Sequence, residues 1–167
     1  VIGYLEPHDR PETSAQAEGL EMVPRRSVEY GSTSLPDMDL EAILRRRPEL
    51  ALVDELAHTN AEGMEHAKRY MDVEELLVSG IDVISTVNVQ HLESLNDQIA
   101  DLTGVRVRET LPDSILARAD EVVLIDLTPE ERRVPIQEWK DGAESGDIAE
   151  KFACGTAAVL TPAGEDG

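Results

Sequence analysis

Aromatic side chains are scarce in this 167-residue chain: 3% of it, with one tryptophan and one phenylalanine. A core must therefore come from Leu, Val, Ile and Ala, and a hydrophobic content of 41% supplies enough for one domain of this length. Cysteine is nearly missing. Cys154 stands alone, which excludes an internal disulfide and a thiolate-built zinc site, and its expected role is a small buried hydrophobe in a reducing compartment. No apolar run approaches the ~18 residues of a membrane span, so no membrane contact is expected from this segment. Positive charge is short as well, 15 Lys and Arg against 35 Asp and Glu, for a net −20. Such a field repels phosphate backbones and anionic headgroups, which excludes a nucleic-acid groove. Lysine supplies only Lys68, Lys140 and Lys151. A scattered acidic surface suits salt-rich surroundings, and equally an ordinary acidic protein from a genome that favours Arg codons; composition leaves both open. Last among the absences, no Gly-x-x-x-x-Gly-Lys-Ser/Thr occurs, so the chain carries no phosphate cradle of that kind.

What is present is a regular alternation. Val1–Leu5 reads as a strand ended by Pro7, and Glu12–Leu20 as a short helical stretch. Ser27–Tyr30 reads as a strand stopped by Gly31. Met38, Leu40, Ile43 and Leu44 have helical spacing over Asp37–Arg47, with Asp37 as the candidate cap. Leu50–Val53 is the short continuous apolar run of a buried parallel strand. Tyr70–Val78 reads as a helix closed by Gly80, Ile81–Val87 as the next strand, Val89–Leu102 as a helix closed by Gly104, and Pro112–Ala119 as another helix. Val122–Leu127 is the last strong strand. Strands alternating with helices of this length predict an α/β fold, a mostly parallel sheet flanked by helices. The rhythm is lost after Pro129, and a composition boundary falls near 129–133. Val1 begins inside a strand and Gly167 ends just past an apolar stretch, so both ends are expected to be cuts.

Ligands of open parallel sheets sit off the carboxyl ends of the strands. Asp54 and Glu55 directly follow Leu50–Val53 at that edge. An acid there is how phosphate-binding enzymes hold Mg²⁺, while a neighbouring acid can polarise water; equally, many strands end in a carboxylate that only caps the next helix. Two further strand ends present Thr86, Asn88 and Gln90, and Asp126 with Thr128. Convergence of three such ends favours a ligand site. His58, His66 and His91 fit no zinc spacing, and loop histidines more often form hydrogen bonds. Arg45–Arg47 suits a helix C-terminus. Nothing places a base beside a nucleophile, so no catalytic residue is assigned.

The runs Glu6-Pro7-His8, Val23-Pro24-Arg25-Arg26, Leu52–Asn60, Lys68-Arg69-Tyr70, Asp72–Leu77 and Thr86–Asn96, continued by Val105–Thr110 and Asp126–Glu130, together resemble one module. It is the N-terminal cytoplasmic domain of KdpD-type sensor histidine kinases, which regulate high-affinity potassium uptake, and the resemblance covers residues 1–131. It implies a P-loop-type α/β nucleotide-binding domain taking ATP with Mg²⁺. Asp54 and Glu55 match the family's Walker B acids, with Thr86 and Asn88 on the same side and Asp54 toward the metal. In the parent family the partners are the remaining kinase domains and a response regulator. The family's P-loop would lie upstream of Val1, so neither ATPase nor histidine kinase activity is expected of this chain. A sheet without that strand has an unpaired place, which the β-compatible 152–160 segment is expected to fill.

The tail, 132–167, resembles something else. Ile136-x-Glu138-Trp139, Ser145-Gly146-x-Ile148-x-Glu150 and Phe152–Pro162 look like the C-terminal region of branched-chain amino-acid aminotransferases. In that family a Gly-Thr-Ala turn, here Gly155, Thr156 and Ala157, takes the phosphate of pyridoxal phosphate. The Schiff-base lysine belongs to parts of that enzyme missing here, so pyridoxal phosphate is not expected to bind and the tail is not expected to fold independently. Three functions follow: a sensory nucleotide-binding module without catalysis, a fragment of an aminotransferase, or a non-catalytic interaction module from a chimeric gene.

Overall fold

In a computed structural model, residues 1–8, 11–30, 33–124 and 155–160 are described. Three short apolar runs stack as parallel strands: β1 (Ile2–Tyr4), β4 (Leu50–Val53) and β5 (Asp82–Asn88). Between β1 and β4 in sequence come the helix α1 (Pro11–Ala17), a hairpin of β2 (Arg26–Tyr30) and β3 (Thr33–Asp37), and the helix α2 (Leu40–Arg46). After β4 a long loop leads to α3 (Arg69–Val78), which returns the chain to β5. A 3₁₀ turn (Val89–His91), α4 (Glu93–Thr103), α5 (Asp113–Ala117) and β6 (Glu121–Leu124) follow, and β7 (Gly155–Leu160) ends the described chain.

The five-stranded sheet has the order β1-β4-β5-β7-β6. β7 runs antiparallel to both its neighbours, so β6 points the same way as β1, β4 and β5. The expected α/β class is observed, with parallel pairing confined to β1, β4 and β5. The 155–160 part of the tail joins the sheet beside β5, one strand away from β4. Gly155, Thr156 and Ala157 are there extended strand rather than a turn, facing Asn88, Val87 and Thr86 in register. The boundary expected near 129–133, and with it Asp126, Thr128, Trp139 and Cys154, lies outside the described residues.

The core forms where the parallel strands meet α2, α3 and the 111–115 segment, with Met38, Ile43, Leu56, Leu76, Val83 and Leu111 fully buried. Alternation puts Val83, Ser85 and Val87 of β5 on the buried side. Gly3 lies against α2; a Cβ there would lie 2.7 Å from Ile43 Cδ1, so any larger residue would force the Ile43 side chain to shift.

Two local expectations change. The helix expected from Asp37 begins at Leu40, and its cap is Asp39, whose carboxylate accepts from the Ala42 N–H at 2.9 Å. Asp37 ends β3 instead, paired with Arg26 across the hairpin; Pro36, with no N–H to lose, is tolerated in this two-stranded ribbon. The helix expected over Val89–Leu102 is interrupted at Leu92, which is extended (φ −71°, ψ 130°). There the backbone bridges to Leu111 through Glu93 N–H to Leu111 O and Leu111 N–H to His91 O, so long-range pairing overrides helical spacing.

Candidate functional site

The carboxyl ends of β1, β4 and β5 converge on the Asp54 carboxylate. Oδ1 accepts from the Thr86 hydroxyl of β5 and from the Glu55 N–H at 2.9 Å; Oδ2 accepts from the Glu6 N–H just past β1 at 3.1 Å. The Asp54 N–H donates to Tyr4 O. Three of about four lone-pair positions are thus occupied, and one on Oδ2 is left.

Glu55 is one of three non-glycine residues at positive φ among the described residues (φ 56°), and His8 (φ 46°) is another. The two touch: His8 Nε2 lies 3.1 Å from Glu55 Oε1. The other carboxylate oxygen of Glu55 is 3.5 Å from Arg69 Nη1. Left-handed backbone at such a residue is strained and needs its surroundings to hold it.

Arg69 opens α3 and is completely buried. Its Nη2 donates to Asp37 Oδ1 at 2.7 Å and its Nη1 to the Asp54 carbonyl at 3.2 Å. The guanidinium stacks 3.7 Å from the centre of the Tyr4 ring, and Arg25 approaches the same ring at 4.6 Å while bonding Glu6 Oε2 and Leu5 O. Burial raises the Tyr4 phenol, against the pull of both arginines. Burial would also raise Asp37, but His58, the Met38 N–H and Arg69 together hold its carboxyl well below the usual range.

A second buried acid, Asp72, lies one turn along α3. Its carboxylate accepts from Asn60 at 2.6 Å and pairs with His66 Nδ1 at 2.8 Å, and Glu75 is 3.6 Å from the other ring nitrogen. Burial wins here and pushes Asp72 up, with His66 and Asn60 opposing.

Of the residues expected at the site, Asp54, Glu55 and Thr86 are in contact. Asn88 stands on the same face of β5 as Thr86, two residues on. The histidines are dispersed: His58 is 3.8 Å from both Asp37 and Glu109, His66 goes to Asp72, and His91 Nδ1 to the Glu109 carbonyl. Among the described residues no three His, Cys, Asp or Glu side chains are arranged to hold a metal ion. Asp54, Glu55 and Thr86 nonetheless offer the oxygen donors a hard cation such as Mg²⁺ takes through one carboxylate, the remaining ligands being water or phosphate. Arg46, from the basic run, forms two bonds with Glu21 at 2.6 and 2.7 Å.

Arg69 and Asp37 escaped the sequence reading because they lie 32 residues apart. One signal was available. A cation at the first position of a helix opposes the helix dipole, so Arg69 had to be held by something outside α3.

The strand ends and loops of this site fall inside a stretch, residues 1–143, that matches the profile of the family described as KdpD, the osmosensitive K⁺ channel His kinase sensor domain. The chain belongs to the KdpD sensor-domain family. Among its KdpD relatives, the sensor protein of Escherichia coli is 51% identical over 140 residues, or 84% of this chain. A KdpD homologue from Synechocystis is 57% identical over the same share. The chain spans only 38% of the Synechocystis protein and 16% of the E. coli one. A branched-chain-amino-acid aminotransferase of Mycobacterium tuberculosis is 44% identical over 62 residues, covering 37% of this chain and 16% of that protein. KdpD membership thus accounts for most of the chain, and the aminotransferase likeness for a minor part. Among the described residues of this KdpD-family chain, no helix is long and apolar enough to cross a membrane.

Proposed function

We propose that the chain is a regulatory, nucleotide-sensing module of a two-component sensor kinase governing potassium uptake. It binds Mg-nucleotide at the edge carrying Asp54, Glu55, Thr86 and Asn88, and does not turn it over. The observation that carries this is the Asp54 carboxylate at the carboxyl end of the middle parallel strand, fixed from both neighbouring strands with one lone pair left over. ATP is the nucleotide proposed, in a P-loop-type fold whose phosphate loop is contributed by the parent protein outside this chain. Bound Mg²⁺ would neutralise phosphate charge there; the residues of this chain orient it. The module acts on the cytoplasmic side of its parent and reaches a response regulator through the parent's kinase core. Residues 1–131 carry the sensor unit, and 132–167 is a tail that is not an independent domain, its 155–160 segment being β7 of the same sheet. The aminotransferase reading is not favoured.

Calorimetry with Mg-ATP tests the proposal, on this chain and on the chain with its parent's upstream residues restored. Binding in the restored chain, weakened at least about tenfold by Asp54→Asn, is expected, since losing even a residue that only orients a metal ligand costs about 10–100-fold. No heat in either form would overturn it in favour of a ligand-free interaction module.

A further inference from the structure

A fully buried arginine requires one counter-charge, and Asp37 at 2.7 Å already supplies it for Arg69. The second arm of the guanidinium serves something else. It donates to the carbonyl of Asp54, the oxygen of the Asp54–Glu55 peptide unit, and faces the Glu55 carboxylate. The opposite end of that peptide, the Glu55 N–H, is gripped by Asp54 Oδ1 at 2.9 Å and Thr86 Oγ at 3.3 Å. Both ends of one peptide plane are therefore pinned, immediately before a residue held at φ 56°. Rotating this plane would pull the Glu55 N–H away from Asp54 Oδ1 and Thr86 Oγ and change the φ of Glu55, and with it the direction of the Glu55 side chain.

We infer that Arg69 is the positioning residue of the Asp54–Glu55 edge: through its bond to the Asp54 carbonyl it holds both carboxylates in the arrangement that takes a divalent cation. The inference rests on the cation-binding reading of that edge given above. Arginine is needed because its planar fork reaches Asp37 and the peptide carbonyl together, while a lysine ammonium on its flexible stem serves one or the other. Asp37 neutralises Arg69 from the far side and also accepts from the Met38 and Ala61 N–H groups.

Mn²⁺ binding to the full 167-residue chain, followed by water-proton relaxation, separates positioning from a merely structural role. Arg69→Lys is expected to weaken Mn²⁺ about tenfold, the size seen when a residue orienting a ligand is lost. Leu76→Ala, a truncation in the core, is expected to lower stability yet leave the Mn²⁺ affinity within about twofold. A folded Arg69→Lys chain that binds Mn²⁺ as the parent does would overturn the inference, as would affinity losses in the two variants that merely follow their losses in stability. If Arg69→Lys does not fold, the unmodified chain decides: Mg²⁺ should shift the ¹⁵N resonance of the Arg69 side chain, and an unmoved resonance on a chain that binds Mg²⁺ rejects the role. Failure of the unmodified chain to bind either ion would bring down the cation-binding reading itself, a different outcome from normal binding that ignores Arg69.

Discussion

Asp37 and Asp72 are both buried acids beside α3, yet they titrate in opposite directions. Asp37 is met by the His58 ring, the Met38 N–H and the Arg69 guanidinium, which together hold its carboxyl low against burial. Asp72 is met by burial first, and His66, the amide of Asn60 and the nearby charge of Arg69 do not offset it, so its carboxyl rises. Burial is similar in the two places; the partner decides the sign. At Asp37 an imidazole, a backbone N–H and a hydrogen-bonded guanidinium together outweigh desolvation, whereas at Asp72 an imidazole, a neutral amide and the same guanidinium acting without a hydrogen bond do not.

The most direct way to break this contrast is Asp37→Ala. It leaves Arg69 buried without its acid and should cost about 3–5 kcal/mol, read from urea unfolding; Asp72→Ala, which strands only hydrogen-bonding groups, should cost about 1–3 kcal/mol. Equal losses would mean that the partner does not matter. Acid titration of stability comes next. Asp37 is depressed in the folded chain, so its contribution is complete above the ordinary value of 3.8 and drains away as pH falls below it. Asp37→Asn should therefore flatten the decline of stability at the acid end. Asp72 is raised, so its contribution is complete below 3.8 and is lost as pH rises through its native value. Relative to the parent chain, Asp72→Asn should gain stability from acid toward neutral pH, and stay within about 1 kcal/mol at pH 7 because an amide can still accept from Asn60. The smallest effect is expected at the exposed His8–Glu55 pair, where His8→Ala should change stability by less than about 1 kcal/mol, with the difference fading in high salt.

Much of the frame was legible from local pattern. Leu50–Val53 read as a buried parallel strand and Ile81–Val87 as the next apolar strand, and the structure places β4 and β5 there, each with alternate residues buried. The edge carrying Asp54, Glu55 and Thr86 followed from topology, since parallel neighbours end on the same side. The failures share one cause. Strand β3 was hidden because Thr33–Asp37 is extended only through its pairing with Arg26–Tyr30, and the break at Leu92 exists only because Leu111 lies alongside. Gly155–Ala157 looked like a turn until two strands enclosed it. Each depends on a distant partner that no window of neighbouring residues contains.

The sequence by itself determined the alternation of strands and helices, the acidic strand ends and the family, since apolar spacing and literal runs are properties of adjacent residues. Only the tertiary structure decided which acid is lowered and which raised, which residue is strained at positive φ, and that Arg69 grips the peptide between Asp54 and Glu55. Those outcomes depend on charge, solvent exclusion and donors brought together from β1, β3, β4 and α3, and such proximity exists only once the chain has folded.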